Sequence, residues 1–217
     1  MAVRDDFSAG EVLAAADLND TFASKADYPS GGSNGDLLTK SGTSTAWATP
    51  SVAGLTLVTA ESFTAVSSVN INGCFSATYE NYQVLINFTS QSADATITAR
   101  MRASGTDSTT QYVNMRTFDR SGGAGGFIGT VTNAIDLANH DGNVSNMSQA
   151  ICLFFHLPYA TEYTYVHGSG VRLGTDDNSY NDSFATRHKL ETSYDGLSVL
   201  SSGGTVGGTI RIYGYKD

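Results

Sequence analysis

Beyond Leu55 the apolar residues recur at every second position, and this period constrains the chain more than any other feature. Tyr82, Val84, Ile86 and Phe88 alternate with Gln83, Leu85 and Asn87, and Ile97, Ala99 and Met101 alternate with Thr96, Thr98, Arg100 and Arg102. Successive side chains of an extended strand point to opposite faces, so such runs predict half-buried strands. The series continues through residues 112–118, 150–157, 162–173, 184–192, 197–200 and 205–215. Turn formers separate the runs, among them Ser104-Gly105-Thr106-Asp107, His140-Asp141-Gly142-Asn143 and the stretches 174–178 and 201–204. Eight to ten strands at this spacing predict a mainly β domain over residues 55–217, a β-sandwich of jelly-roll-like type. The run Ile151-Cys152-Leu153-Phe154-Phe155 is apolar at both phases and predicts a central strand covered on both sides. Composition supports this: 25 Ser, 25 Thr and 23 Gly with only 15% charged residues disfavour long charged helices.

Residues 1–54 follow a different pattern. Asp17 has the chemistry of an N-cap, and Leu18, Phe22 and Ala26 recur at a spacing of four, which predicts a short helix ending before Tyr28-Pro29. A helix of about ten residues is not stable alone in water, so it needs a surface to dock on. The next stretch, 29–54, mixes turn formers with Leu37, Leu38 and the single Trp47. It predicts a hairpin centred on residues 40–43 that brings Leu38 near Trp47. The expected organisation is therefore a helix and hairpin linker over 1–54, followed by the β-sandwich domain.

Several function classes fall on charge and composition. A net charge of −9 gives no electrostatic footprint for nucleic acid. The most apolar run, residues 150–157, is far shorter than the ~20 residues of a membrane-spanning helix, so no membrane insertion is expected. The first residues show no signal-peptide pattern. Cys74 and Cys152 cannot form a disulfide framework or a zinc site on their own and are expected as free buried thiols.

No catalytic constellation stands out, and neither an enzyme nor a cofactor is expected. His140, His156, His167 and His188 have no pair at three- or four-residue spacing, so metal convergence is not visible; His156 is expected as a hydrogen-bonded core or interface residue. The acidic stretch 174–182 offers oxygen ligands but lacks the closing Glu of a calcium loop, and a solvated hairpin loop is the stronger reading. The run Ser121-Gly-Gly-Ala-Gly-Gly126 lacks the Gly-Lys-Ser/Thr ending of a phosphate loop and reads as a flexible loop. Tyr159, Tyr163, Tyr165 and Tyr180 lie in or beside the longer connections, where tyrosine suits stacking on sugars or docking on protein.

Three stretches resemble bacteriophage tail-fibre and related virion proteins. Phe7-Ser-Ala-Gly-Glu-Val-Leu-Ala-Ala-Ala-Asp-Leu-Asn-Asp-Thr-Phe22 resembles the segment by which such fibres join the tail, and Asn34-Gly-Asp-Leu-Leu-Thr-Lys-Ser-Gly-Thr-Ser-Thr-Ala-Trp47 is similar to a short shaft motif. The segments 75–82, 100–107, 192–196 and 208–215 look like a C-terminal domain of fibres from phages of aquatic bacteria. The resemblance implies a homotrimer, attached through its N-terminus to a tail or baseplate protein, whose distal β domain meets a host surface glycan or envelope protein. Assembly in the host cytoplasm into the virion follows from the same resemblance. It gives Phe7, Val12, Leu13, Leu18 and Phe22 to attachment or trimer packing and Leu38 and Trp47 to shaft packing, and it assigns no receptor-binding residue. The length implies a short fibre or spike. A decoration protein of capsid or tail, or a small polysaccharide depolymerase, are the alternatives.

Overall fold

The computed structural model describes residues 32–41, 44–49, 54–120, 123–140, 149–173 and 179–216. The chain divides into two units, Met1–Val52 and Ala53–Asp217. The expected N-terminal helix, with Phe7, Val12, Leu13, Leu18 and Phe22, lies outside the described residues, and so does most of the acidic stretch after Leu173.

In the first unit, β1 (Leu37–Ser41) and β2 (Ser44–Ala48) form an antiparallel hairpin in which Leu38 faces Trp47 in register. Asp36 anchors its base, its carboxylate accepting from Ser33 N at 2.8 Å and Thr49 Oγ1 at 3.0 Å. Trp47 lies against Gly32, where an added Cβ would meet the indole at 2.6 Å. Leu37, Leu38 and Trp47 are still 56%, 41% and 37% exposed. A two-stranded ribbon of this size buries too little apolar surface to be stable by itself.

The second unit is all-β and antiparallel throughout the described residues. Its strands are β3 (Gly54–Val66), β4 (Ser68–Ile71), β5 (Asn81–Gln91), β6 (Ala95–Ala103), β7 (Thr106–Asp107), β8 (Tyr112–Arg120), β9 (Gly123–Thr132), β10 (Ile135–His140), β11 (Gln149–His156), β12 (Thr164–Leu173), β13 (Ser179–His188), β14 (Gly196–Ser201) and β15 (Val206–Lys216). Eight of them form one sheet in the order β3-β15-β5-β11-β12-β13-β8-β9. A smaller sheet runs β10-β6-β14-β4, with β7 attached to β6 through the two-residue turn Ser104-Gly105. Both turn residues have positive φ, 49° and 79°, as the hairpin turn matching strand twist requires.

The inner face of the large sheet and the smaller sheet share one core. Tyr82, Val84, Ile86, Phe88, Leu153, Phe155 and Ile212 contribute from the large sheet, and Ile97, Ala99, Met101, Ile135, Leu137 and Leu197 from the small one. Each of the Val, Ile, Leu, Met and Phe side chains among them contributes about 1.5–3 kcal/mol through its burial. Glycine is obligatory at more than one inner-face position, Gly168 among them: a Cβ there would meet the Cys152 carbonyl oxygen at 2.1 Å and Phe184 Cε2 at 2.6 Å.

Two thirds of the way across the large sheet the inner face turns polar. The Asp182 carboxylate, fully buried, accepts from Arg116 Nε (3.0 Å) and Nη2 (2.9 Å) and from Arg172 Nε (3.0 Å). The Arg172 guanidinium also lies 3.9 Å over the Tyr180 ring, and Arg116 Nη1 reaches Asp136 at 3.5 Å. For residues 179–182 this corrects the expectation of a solvated loop: they belong to a strand, Asp182 is a structural counter-ion, unavailable to calcium, and Tyr180 is a buried lining residue.

Further expectations shift. Thirteen strands are described in this unit instead of eight to ten. β3 was hidden because it is an edge strand bulged at two places, with most side chains exposed, so alternation has nothing to record there. The glycine-rich run expected to be a loop continues into β9, which pairs with β8. Arg102, expected to face outward, is buried and bonds Asn72, Asp107, Ser198 and Gly105. β11 is central, yet Cys152 and Phe154 are only half-buried on its outer side, and no second layer of described residues covers them. Cys74 is a free thiol pushed up to about 12 by burial, so it stays protonated and inert; Cys152 is free as well.

Candidate functional site

The outer face of the large sheet is built from the residues that alternate with the core. Strand register lays them out in rows. One row runs Leu57, Tyr213, Gln83, Phe154, His167, Ala185 and Met115; its neighbour includes His156, Tyr165, Arg187 and Val113. Leu55, Leu57, Met115, Tyr165 and Val171 are each about half exposed, from 49% to 55%, a concentration of large apolar side chains on one flat surface.

The sequence predicted no convergence of histidines, but the β11–β12 hairpin makes His156 and His167 diagonal neighbours. His156 Nε2 lies 3.2 Å from His167 Nδ1, and the rings are only 11° from parallel with centroids 5.1 Å apart. That combination is an edge-to-edge hydrogen bond. Asn81 Oδ1, 3.0 Å from His156 Nδ1, accepts its proton, so Nε2 carries the lone pair and receives the His167 N–H. Burial, then the neighbouring His167, lower the pKa of His156. Phe154 stacks on the other side of His167 at 5.1 Å.

Next to this pair the face is grooved. A trough of about 470 Å³ runs over β13, with Ala185 on its floor, Tyr165 and His167 on the β12 wall, and Val113 and Met115 on the β8 wall. The trough exists because β13 carries the small Ala185 between the larger His167 and Met115 of its neighbours. Arg187 stands at one end, between Tyr165 and Val113, exposed and without an ion pair or hydrogen bond among the described residues. A second hollow of about 250 Å³ lies beside His156, lined by Asn81, Phe154 and Tyr215. A third, of about 260 Å³, is formed by Tyr79, Glu80, Leu157 and Tyr159. Leu157 holds a positive φ of 55°, unusual for its side chain, and opens the turn that displays the exposed Tyr159 and Tyr163.

One pair of residues has the outline of a nucleophile and base. Ser108 Oγ lies 3.0 Å from His188 Nε2. The same Nε2 is 3.1 Å from the Thr110 carbonyl oxygen, which only accepts, so Nε2 bears the proton and cannot take one from Ser108. Its lone-pair nitrogen, Nδ1, is buried without a partner, and desolvation lowers the His188 pKa. The pair ties a loop down. Among the described residues no three His, Cys, Asp or Glu side chains converge as a metal site.

Of the residues singled out in the sequence, the structure joins Leu38 with Trp47 in the hairpin, places Tyr165 on the outer face and leaves Tyr159 and Tyr163 exposed in the turn between β11 and β12. Met115, Ala185 and Arg187 were not foreseen, because their grouping depends on β13 lying between β12 and β8, a non-consecutive neighbour. No protein-family model, curated protein or solved structure matches the chain.

Proposed function

We propose that the chain is a subunit of a short phage tail fibre, a homotrimer of jelly-roll-like β domains that adsorbs the virion to the host surface without catalysis. The observation that carries this reading is the hairpin: Leu37, Leu38 and Trp47 sit exposed on a ribbon too small to stand alone. Three copies around one axis bury such residues together, as a short shaft does. The N-terminal segment with Val12, Leu13, Leu18 and Phe22 joins the tail or baseplate, and the β domain is presented distally to a host glycan or envelope protein. Weak individual sites suffice, since many copies act at once.

Antibodies to residues 55–217, applied to virions of the phage that encodes the chain, test it. Labelling at the tail tip and blocked adsorption are expected. Labelling over the capsid, or adsorption unchanged by saturating antibody, overturns the adsorption reading. Leu18→Asp or Phe22→Asp is expected to abolish incorporation into virions while the β domain stays folded.

A further inference from the structure

We infer that the trough over β13 is a binding site for an anionic glycan, one bearing carboxylate or phosphate groups, with Arg187 as the anion contact and Tyr165 and His167 as the stacking wall. This rests on the adsorption reading above and gives it a location and a ligand class.

Charge is sorted between the faces of the molecule. The chain carries 21 acidic against 12 basic residues. Yet the outward positions of β15, β5, β11, β12 and β13 hold no carboxylate: they present Arg211, Arg187, His156 and His167 among amides, hydroxyls and apolar groups. The one acid of this face on β8 is Asp119, six residues beyond Val113 and so about 20 Å along the strand. Arg187 stands unpaired beside two uncharged neighbours, Tyr165 and Val113. A guanidinium so placed is open to a carboxylate or phosphate from a ligand, and its planar fork suits either.

Shape points the same way. The walls stand on strands two spacings apart, about 10 Å, with Ala185 on the floor, which leaves room for a single sugar chain lying along the strand direction. The trough volume lies in the range of small-ligand sites. Tyr165, 49% exposed, and the exposed His167 ring offer flat faces to the apolar side of a sugar, while Ser169, Ser183 and Thr117 line its continuation with hydroxyls. A peptide fits less well. The backbones of β12, β13 and β8 are paired on both sides, so an extended peptide gains no main-chain hydrogen bonds there.

The test uses the purified full chain with two probes, an oligogalacturonate and a phosphorylated mannan oligosaccharide, each compared with its carboxyl-reduced or dephosphorylated counterpart in titration calorimetry at low salt. At least one anionic probe is expected to bind about tenfold or more tighter than its neutral form, with the difference shrinking at high salt. Arg187→Gln is expected to erase that preference, and Ala185→Trp, which fills the trough, to abolish binding of both forms. Binding of neither probe, equal binding of charged and neutral forms, or binding unchanged in both variants overturns the inference. A change in solution mass caused by Ala185→Trp also overturns it, by making the trough a contact between copies. If both variants adsorb to host cells like the wild type, the site falls while the fibre reading stands. If the wild-type chain does not adsorb at all, the fibre reading itself falls.

Discussion

The two faces of the eight-stranded sheet are made by the same strands and obey the same alternation, yet they are finished differently. On the inner face the apolar side chains meet the smaller sheet and the Asp182 charge is held by two arginines, although a few buried polar atoms, among them the Gln149 amide, Thr164 Oγ1 and His188 Nδ1, have no hydrogen-bond partner among the described residues. On the outer face large apolar side chains stand half in water, and Arg187 has no counter-ion among the described residues. Burying an unpaired charge costs several kcal/mol, so the core has to pair its charged groups internally. The outer face is under no such demand. Its apolar rings and open cation are surplus to the fold, in keeping with the proposal that this surface meets a partner.

The sharpest way to break this contrast is at the counter-ion. Asp182→Ala leaves two buried guanidinium groups facing each other and is expected to cost about 3–5 kcal/mol in chemical denaturation, with Asp182→Asn costing less. Second comes Gly168→Ala, whose Cβ collides with the Cys152 carbonyl and Phe184; a loss of about 1–3 kcal/mol is expected.

Acid sharpens the comparison further. His156 and His188 are both lowered, so the unfolded chain binds more protons than the folded one between each lowered value and the ordinary histidine value. Stability is therefore expected to fall as pH drops through the ordinary histidine range and to level off below the lowered values. In melting curves, His188→Gln should flatten this slope more than His156→Gln, since His188 is fully buried and His156 half-buried. Equal flattening would mean that the two faces do not differ in the way described. The smallest effect belongs to the outer face: Tyr165→Ser and Met115→Ser are each expected to change stability by no more than about 0.5 kcal/mol. A loss of more than about 2 kcal/mol for either would show that the outer face is part of the fold.

Much of the inner face could be read in advance. Tyr82, Val84, Ile86 and Phe88, and Ile97, Ala99 and Met101, follow the two-residue period and all are buried. The hairpin register of Leu38 and Trp47 could be anticipated from the turn formers between them. The ion cluster could not, because Arg116 and Asp182 are 66 residues apart and meet only through the pairing of β8 with β13. Arginine and aspartate in a strand look like solvent-facing positions until their partners are known. The His156–His167 contact needed the register of β11 on β12, which the irregular turn between them conceals. Trough and open arginine were hidden for the same reason: alternation tells which side of a strand a residue faces, but not which strand lies beside it.

The account stands on the hairpin unit gathering copies of the chain while the outer sheet face stays free for the host. Light scattering of the purified full chain measures this most directly. A mass of about 68 kDa, three times the 22.8 kDa chain, is predicted, falling to the mass of one chain when Leu38 and Trp47 are both replaced by serine. A wild-type chain that runs as a single 22.8 kDa species, or a trimer untouched by the double replacement, would contradict it.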